Sequence, residues 1–348
     1  MKSLVRPAPV REGDKVAVLS PAWAAPAYFP AIHEQAMRRL EELFGVEVVE
    51  YPTTRALGAS PEERARDVNA AFADPHIRAL FSTIGGDDQI RILRYLDPKL
   101  PLADPKPFFG YSDNTNLSAW LFARGIASFY GGSTMVHLGS GPTVDPEHLG
   151  SLRAALSGEG DLTYALPADS QDYGFDWSED RALTEASPRE AAVPLEFYGP
   201  KVRVRGGTWG GCLEVLDQLA WANHLPDPGE LDGAILIFET SEVLPNPDLV
   251  GRWIRGMGER GYLEAAAGVL VARPVADDRD NPAPASIRAA RRAAQRDYVL
   301  AELTRYAPDT PVCFGLPFGH TRPQYVIPYG GEITLDSELE TITGHYGA

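Results

Sequence analysis

Phe108-Phe109-Gly110-Tyr111-Ser112-Asp113-Asn114-Thr115-Asn116 joins an apolar run to a helix-forming one. The apolar run stops at Gly110, a hydroxyl and a carboxylate follow, and residues 117–124 have helical character. A serine between a strand's end and a helix's start projects its Oγ clear of the sheet. The free N–H groups of the first helical turn lie beside it and favour negative charge. That setting suits a nucleophile whose attack creates an oxyanion. It also suits an N-cap, either Ser112 or Asp113, and the stretch alone leaves both readings open. The G-x-S-x-G pattern is absent, since Asn114 follows Asp113.

The segments before this stretch alternate in character. Residues 15–20 (KVAVLS) form a buried-strand pattern, and 31–44 carry a helical stripe at Ile32, Met37, Leu40 and Leu43 that Gly45 closes. Residues 46–51 are a second strand, and Ser60 with Glu63 forms a capping box for the next helix. Residues 77–84 are a third strand ending in Gly85-Gly86-Asp87-Asp88, with a helix over 89–96. Phe108 and Phe109 belong to a fourth strand and 126–130 to a fifth. Strands alternating with helices predict a parallel sheet covered on both faces. Ligands gather at the carboxyl ends of such strands, where both Gly85-Gly86 and Ser112 fall.

The 348 residues, 44% of them hydrophobic and 23% charged, have globular composition and room for two domains. A net charge of -16 argues against nucleic acid or an anionic membrane as partner. Residues 1–15 lack the apolar core of a signal peptide, and no run approaches membrane-spanning length. Two cysteines, Cys212 and Cys313, make neither a disulfide framework nor a zinc site and fit a reducing cytoplasm. Arg288, Arg291 and Arg292 read as a solvated helix face.

Residues 1–150 therefore read as one domain. Residues 151–200 are rich in polar residues, proline and glycine and read as a linker with a long loop, in which Trp177 is either a hydrophobic anchor or a platform for a ligand. Residues 201–348 read as a second, mixed α/β domain: a glycine-dense turn or close approach at 206–211, apolar strands at 234–238 and 268–271, a long helix over 287–306, and hairpins over 325–343.

Three polar residues follow directly on apolar strand-like runs: Ser112, Glu239 and His320. A serine nucleophile needs a base, and the base needs an orienting carboxylate. Glu242 shares a loop with Glu239 and rivals it. The oxyanion needs N–H donors, which Gly85-Gly86 with the amide of Asp113 would supply, and the glycine pair reads equally as a simple tight turn before the next helix. HExxH is absent, and no GxGxxG follows the first strand, which argues against metalloprotease and dinucleotide readings.

The segments Ser82-Thr83-Ile84-Gly85-Gly86, Gly110-Tyr111-Ser112-Asp113, Gly210-Gly211, Ile237-Phe238-Glu239-Thr240-Ser241-Glu242 and Gly315-Leu316-Pro317-Phe318-Gly319-His320 together resemble the LD-carboxypeptidase family of serine peptidases. The resemblance implies a flavodoxin-like N-terminal domain, a smaller C-terminal domain, and a Ser112-Glu239-His320 triad between them, with Gly85 and Asp113 as the oxyanion donors. It implies no metal or organic cofactor, a homodimer, and substrate contacts from Gly86, Gly211 and residue 212. The family commonly has Asn at that last position, whereas this chain has Cys212. The insertion over 172–194 is similar to the branch that confers immunity to microcin C by cleaving aminoacyl- or peptidyl-nucleotide analogues. In that branch an insertion aromatic stacks on the nucleobase, which makes Trp177 the candidate. The alternatives are release of terminal D-alanine from a murein tetrapeptide, or a small-molecule binding protein without catalysis.

Overall fold

A computed structural model describes residues 1–347. Strands β1 (Lys15–Leu19), β2 (Glu47–Glu50), β3 (Ile77–Ser82), β4 (Phe108–Gly110) and β5 (Ser128–Tyr130) form a parallel sheet in the spatial order 2-1-3-4-5. Val16 to Leu19 and Ala79 to Ser82 are buried on both faces, as a sheet sandwiched between helices requires. The order is flavodoxin-like and reverses between β1 and β3, which opens a crevice at their carboxyl ends.

Local signals set the flanking helices. Pro30–Phe44 ends at Gly45, whose φ of 68° is the left-handed cap. Pro61–Ala73 starts at Ser60, whose hydroxyl accepts from the Glu63 N–H while Glu63 reaches back to the Ser60 N–H. The helix expected over 89–96 is a 3-10 helix, Gln89–Tyr95.

The second sheet has eight strands. Its centre runs parallel through Arg203–Cys212, Ile235–Glu239, Gly268–Ala272 and Val312–Leu316. Antiparallel strands extend both sides: Glu332–Asp336, Thr341–His345 and Asp161–Thr163 on one, Glu196–Tyr198 on the other. Of the two readings of the glycine-dense run, the close approach holds. Residues 206–211 continue one ten-residue strand. A Cβ at Gly210 would lie 2.0 Å from the Ile237 carbonyl oxygen, and one at Gly206 2.3 Å from that of Gly233. Only glycine permits that approach.

Two stretches differ from expectation. Pro146–Ser157 is a helix that runs across residue 150, with His148, Leu152, Ala155 and Leu156 buried. Its apolar positions are interleaved with buried His148 and Ser151, which hides the helical period. Arg288 and Arg292 do not form a solvated face. With Arg273 they meet Asp172 and Glu190 of the insertion, at 2.7 Å for Arg273–Asp172 and 2.6 Å for Arg288–Glu190. Burial opposes charge on Asp172, yet Arg273 and Arg292 outweigh it and hold the carboxyl below the usual carboxylate range.

Ile327–Tyr329 leaves the C-terminal half and pairs antiparallel with β5, completing a six-stranded first sheet.

Candidate active site

Ser112 sits just past β4 with φ 63°, a left-handed conformation that costs a non-glycine residue about 1–3 kcal/mol. Its side chain caps no helix: neither the 3-10 turn Ser112–Asn114 nor the helix Thr115–Ala123 has a side-chain cap bond. Of the two readings open for the serine, the cap is therefore the one the geometry lacks. Gly85 packs directly against it. A Cβ there would lie 2.9 Å from Ser112 Oγ and 3.3 Å from the Asp113 nitrogen. The two amides expected at an oxyanion thus belong to residues that border the serine hydroxyl.

Asp113 turns its carboxylate away from that space. Oδ2 accepts from the Gln89 N–H at 2.8 Å, and Oδ1 accepts from Asn116 Nδ2 at 2.8 Å. Burial pushes this carboxyl up to about 6 against the Gln89 bond, and Asp88 and Asp87 add to the rise.

Glu239 closes its strand and is 2% exposed. Its Oε2 lies 2.5 Å from His320 Nδ1, and its Oε1 accepts from the Tyr130 hydroxyl at 2.6 Å. The same hydroxyl accepts from the Ser112 N–H at 3.3 Å. Tyr130 is therefore the link between the serine's backbone and the carboxylate on the other sheet. Gly319 lets the histidine loop close, since a Cβ there would stand 2.7 Å from Glu239 Oε2. Glu242, the rival carboxylate, faces the other ring nitrogen: its Oε2 is 3.3 Å from His320 Nε2. The edge of Tyr111 meets the His320 ring at 5.0 Å between centroids.

Burial disfavours charge on His320, but the Glu239 carboxylate outweighs it, with help from Glu242 and Glu214, and raises the imidazole to about 9. A pair of this kind orients the ring, fixes the proton on Nδ1 and leaves Nε2 for proton transfer.

Gly86 borders Ala22 and the Trp23 nitrogen. Gly211, at φ 118°, packs against Thr115 and Tyr130. Cys212 is buried, its N–H donates to Thr115 Oγ1 at 3.2 Å, and its thiol donates to Glu214 Oε2 at 3.2 Å. Burial, then the Glu239 and Glu214 charges, push that thiol well up, so it stays protonated. Trp177 packs edge-on against Phe29, 5.5 Å between centroids, in a cluster with Phe175 and Ile84. Tyr130, Tyr111 and Glu214 were not foreseen. Tyr130 ends a strand just as Glu239 does, and that position was its signal. Among the described residues no group of His, Cys, Asp and Glu is placed to hold a metal ion.

Two halves of one family match the chain. Residues 16–131 match the LD-carboxypeptidase N-terminal domain and residues 205–335 the LD-carboxypeptidase C-terminal domain. With the strand-end serine and the buried Glu-His pair, fold and family define a serine hydrolase. The chain belongs to the LD-carboxypeptidase family. It is 26% identical to the microcin C7 self-immunity protein of Escherichia coli, over 81% of this chain and 78% of that one. It is also 26% identical to a Bacillus subtilis protein named "Probable murein peptide carboxypeptidase", over 97% and 93%. Among solved structures, the microcin C7 self-immunity protein in complex with aspartyl sulfamoyl adenosine superposes with a TM-score of 0.83 at 23% identity, covering 99% of this chain and 100% of that one.

Proposed function

We propose that this chain hydrolyses the amide joining an aminoacyl or peptidyl group to a nucleotide analogue, with Ser112, His320 and Glu239 as nucleophile, base and orienting carboxylate. His320 Nε2 takes the Ser112 proton as Oγ attacks the scissile carbonyl. The amides of Gly85 and Asp113 hold the oxyanion. Collapse breaks the C–N bond, and the departing amine takes the proton from His320. Water then adds to the Ser112 ester and passes a proton to His320. The acid leaves, and Ser112 recovers its hydroxyl. Water is the only co-reactant this balance needs.

What carries the substrate class is the insertion. Tyr173 donates from its hydroxyl to the Glu242 carbonyl at 3.2 Å, on the loop whose carboxylate faces His320, and the ionic cluster at Asp172 holds that contact in place. The likeness to the Escherichia coli immunity protein supports the same reading, with Trp177, Gly211 and Cys212 near the substrate. The likeness to the Bacillus subtilis relative favours a second reading, release of D-alanine from a murein tetrapeptide. We place the protein in the cytoplasm as a homodimer, supported by two buried, unpaired cysteines for the first and by the family resemblance for the second.

A paired assay tests this, with Ser112→Ala as control. One substrate is an aminoacyl sulfamoyl adenosine, the other an L,D-linked tetrapeptide. Cleavage of the first alone, lost in the variant, supports the proposal. Release of D-alanine alone transfers the enzyme to the second reading. Undiminished turnover by the variant removes Ser112 as nucleophile.

A further inference from the structure

Residues 239–242 carry both carboxylates that face His320, and a different part of the molecule holds each of the four. Tyr130 and His320 hold Glu239. Thr240 Oγ1 accepts from Gln295 Nε2 at 3.0 Å, on the long helix Ala285–Tyr306. The Glu242 carbonyl accepts from the Tyr173 hydroxyl of the insertion. Ser241 is held by Glu214, whose Oε1 accepts both its N–H and its hydroxyl, each at 2.8 Å.

The strand register brings these residues together. Cys212 and Glu239 are partners at the end of a parallel pair, so the residues two places past each lie side by side. Past Cys212 the chain turns into the helix Leu213–Trp221, with Glu214 in its first turn. Glu214 Oε2 accepts from the Cys212 thiol at 3.2 Å. With both oxygens engaged, the carboxylate bridges the two strand ends.

What this bridge carries is the next side chain. Glu242 is 55% exposed, and its carboxylate makes no hydrogen bond among the described residues. Its Oε2 stands 3.3 Å from His320 Nε2, a buried nitrogen that also has no hydrogen bond. An exposed glutamate samples several rotamers, so its mean position depends on where its backbone is fixed. A carboxylate on that side of the ring stabilises the imidazolium that forms as Nε2 takes the serine proton.

We infer that Glu214 is a positioning residue: through Ser241 it holds Glu242 opposite His320 Nε2. The inference rests on the hydrolase reading for the step it serves. The groups that face the ring are Glu239 and Glu242 from one loop, Glu214 from the helix behind it, and Tyr111. Burial keeps Tyr111 and, beyond it, His137 uncharged, and Arg322 on the ring's own loop is turned to Asp145 and Ser140.

The test measures, against pH, the rate of labelling of Ser112 by a fluorophosphonate, in which Oγ bonds to phosphorus as fluoride leaves. Ser112→Ala is the blank. Glu214→Gln removes the charge but keeps one oxygen for Ser241, so its acid limb should move to lower pH with the alkaline plateau within about twofold of wild type. Glu214→Ala removes both acceptors. Its limb should move further, and its plateau should fall about tenfold. Ser241→Ala keeps the N–H bond and loses the hydroxyl bond, and its plateau should fall between the two. In a Glu242→Gln background, Glu214→Gln and Glu214→Ala should share one limb, since the charge that Glu214 positions is gone. A purely structural role would lower Tm and leave the limb in place. A limb no lower in Glu214→Ala than in Glu214→Gln overturns the inference, as does an extra displacement that persists in the Glu242→Gln background. If Glu214→Ala does not fold, Ser241→Ala decides, and an unchanged plateau there overturns it. Titration of the His320 ring by NMR in the Ser112→Ala protein reads the same displacements without any reaction. Those displacements with no labelling of the wild type uphold the role of Glu214 and sink Ser112 as nucleophile. Normal labelling with an unmoved ring does the reverse.

Discussion

His320 faces a carboxylate on each ring nitrogen, Glu239 at Nδ1 and Glu242 at Nε2. As general base it works only when neutral, and its raised value sets the acid limb of the rate profile. kcat/KM should therefore be high in alkaline solution and fall as pH drops through about 9, above where an ordinary imidazole would set that limb. Glu242→Gln removes one of the charges that raise the ring, so the limb should move to lower pH. Because Glu242 is 55% exposed, solvent screens it and the displacement should be modest. Rate profiles of the two proteins check the sign, and a limb that stays put or moves up removes Glu242 from the pair. Tyr130 is a positioning residue. Tyr130→Phe takes a hydrogen bond from the Glu239 carboxylate and the acceptor from the Ser112 N–H, and should cost about tenfold in kcat with KM little changed.

At the scale of elements, glycines divide into two kinds that separate experiments can tell apart. Gly85→Ala places a methyl against Ser112 Oγ, so it should lower activity about a hundredfold with a small change in Tm. Gly210→Ala drives a methyl into the Ile237 carbonyl inside the parallel pair, so it should lower Tm by many degrees before activity is considered. Equal Tm losses in both would contradict this division. The strand ends at Gly110 and Glu239 were legible because each closes an unbroken apolar run with a polar or glycine residue. The strand Arg203–Cys212 was not, because half its ladder partners are 120 or more residues away and its glycines conceal any alternation. The helix Pro146–Ser157 stayed hidden for a related reason: its buried face includes His148 and Ser151, whose partners, Gln324 and Val326, lie far along the chain.

Across the whole molecule, the insertion is tied down by charge at one end and by the Phe29–Trp177 packing at the other. Asp172 is almost wholly buried against Arg273 and Arg292, so Asp172→Asn leaves two inward-facing guanidiniums sharing only Glu190. Breaking a buried pair in this way costs about 3 kcal/mol or more, and proteolytic cutting within 172–190 should accelerate well before the rest of the chain unfolds. Cutting at the wild-type rate would mean that the Phe29–Trp177 packing alone suffices. None of these long-range charge pairs could be read from a helix face taken by itself, which is why Arg288 and Arg292 were assigned to water.

The strand Ile327–Tyr329 beside β5 has a bearing on how the chain is made. On a ribosome the first sheet emerges with the edge of β5 bare, and it stays bare until residues 327–329 are synthesised, about two hundred residues later. An uncovered edge offers unpaired N–H and C=O groups to any neighbour. A gene truncated after the first half should therefore yield inclusion bodies, and co-expression of residues 201–348 as a separate chain should return that half to the supernatant. The first sheet is thus finished by a strand translated only after most of the second sheet.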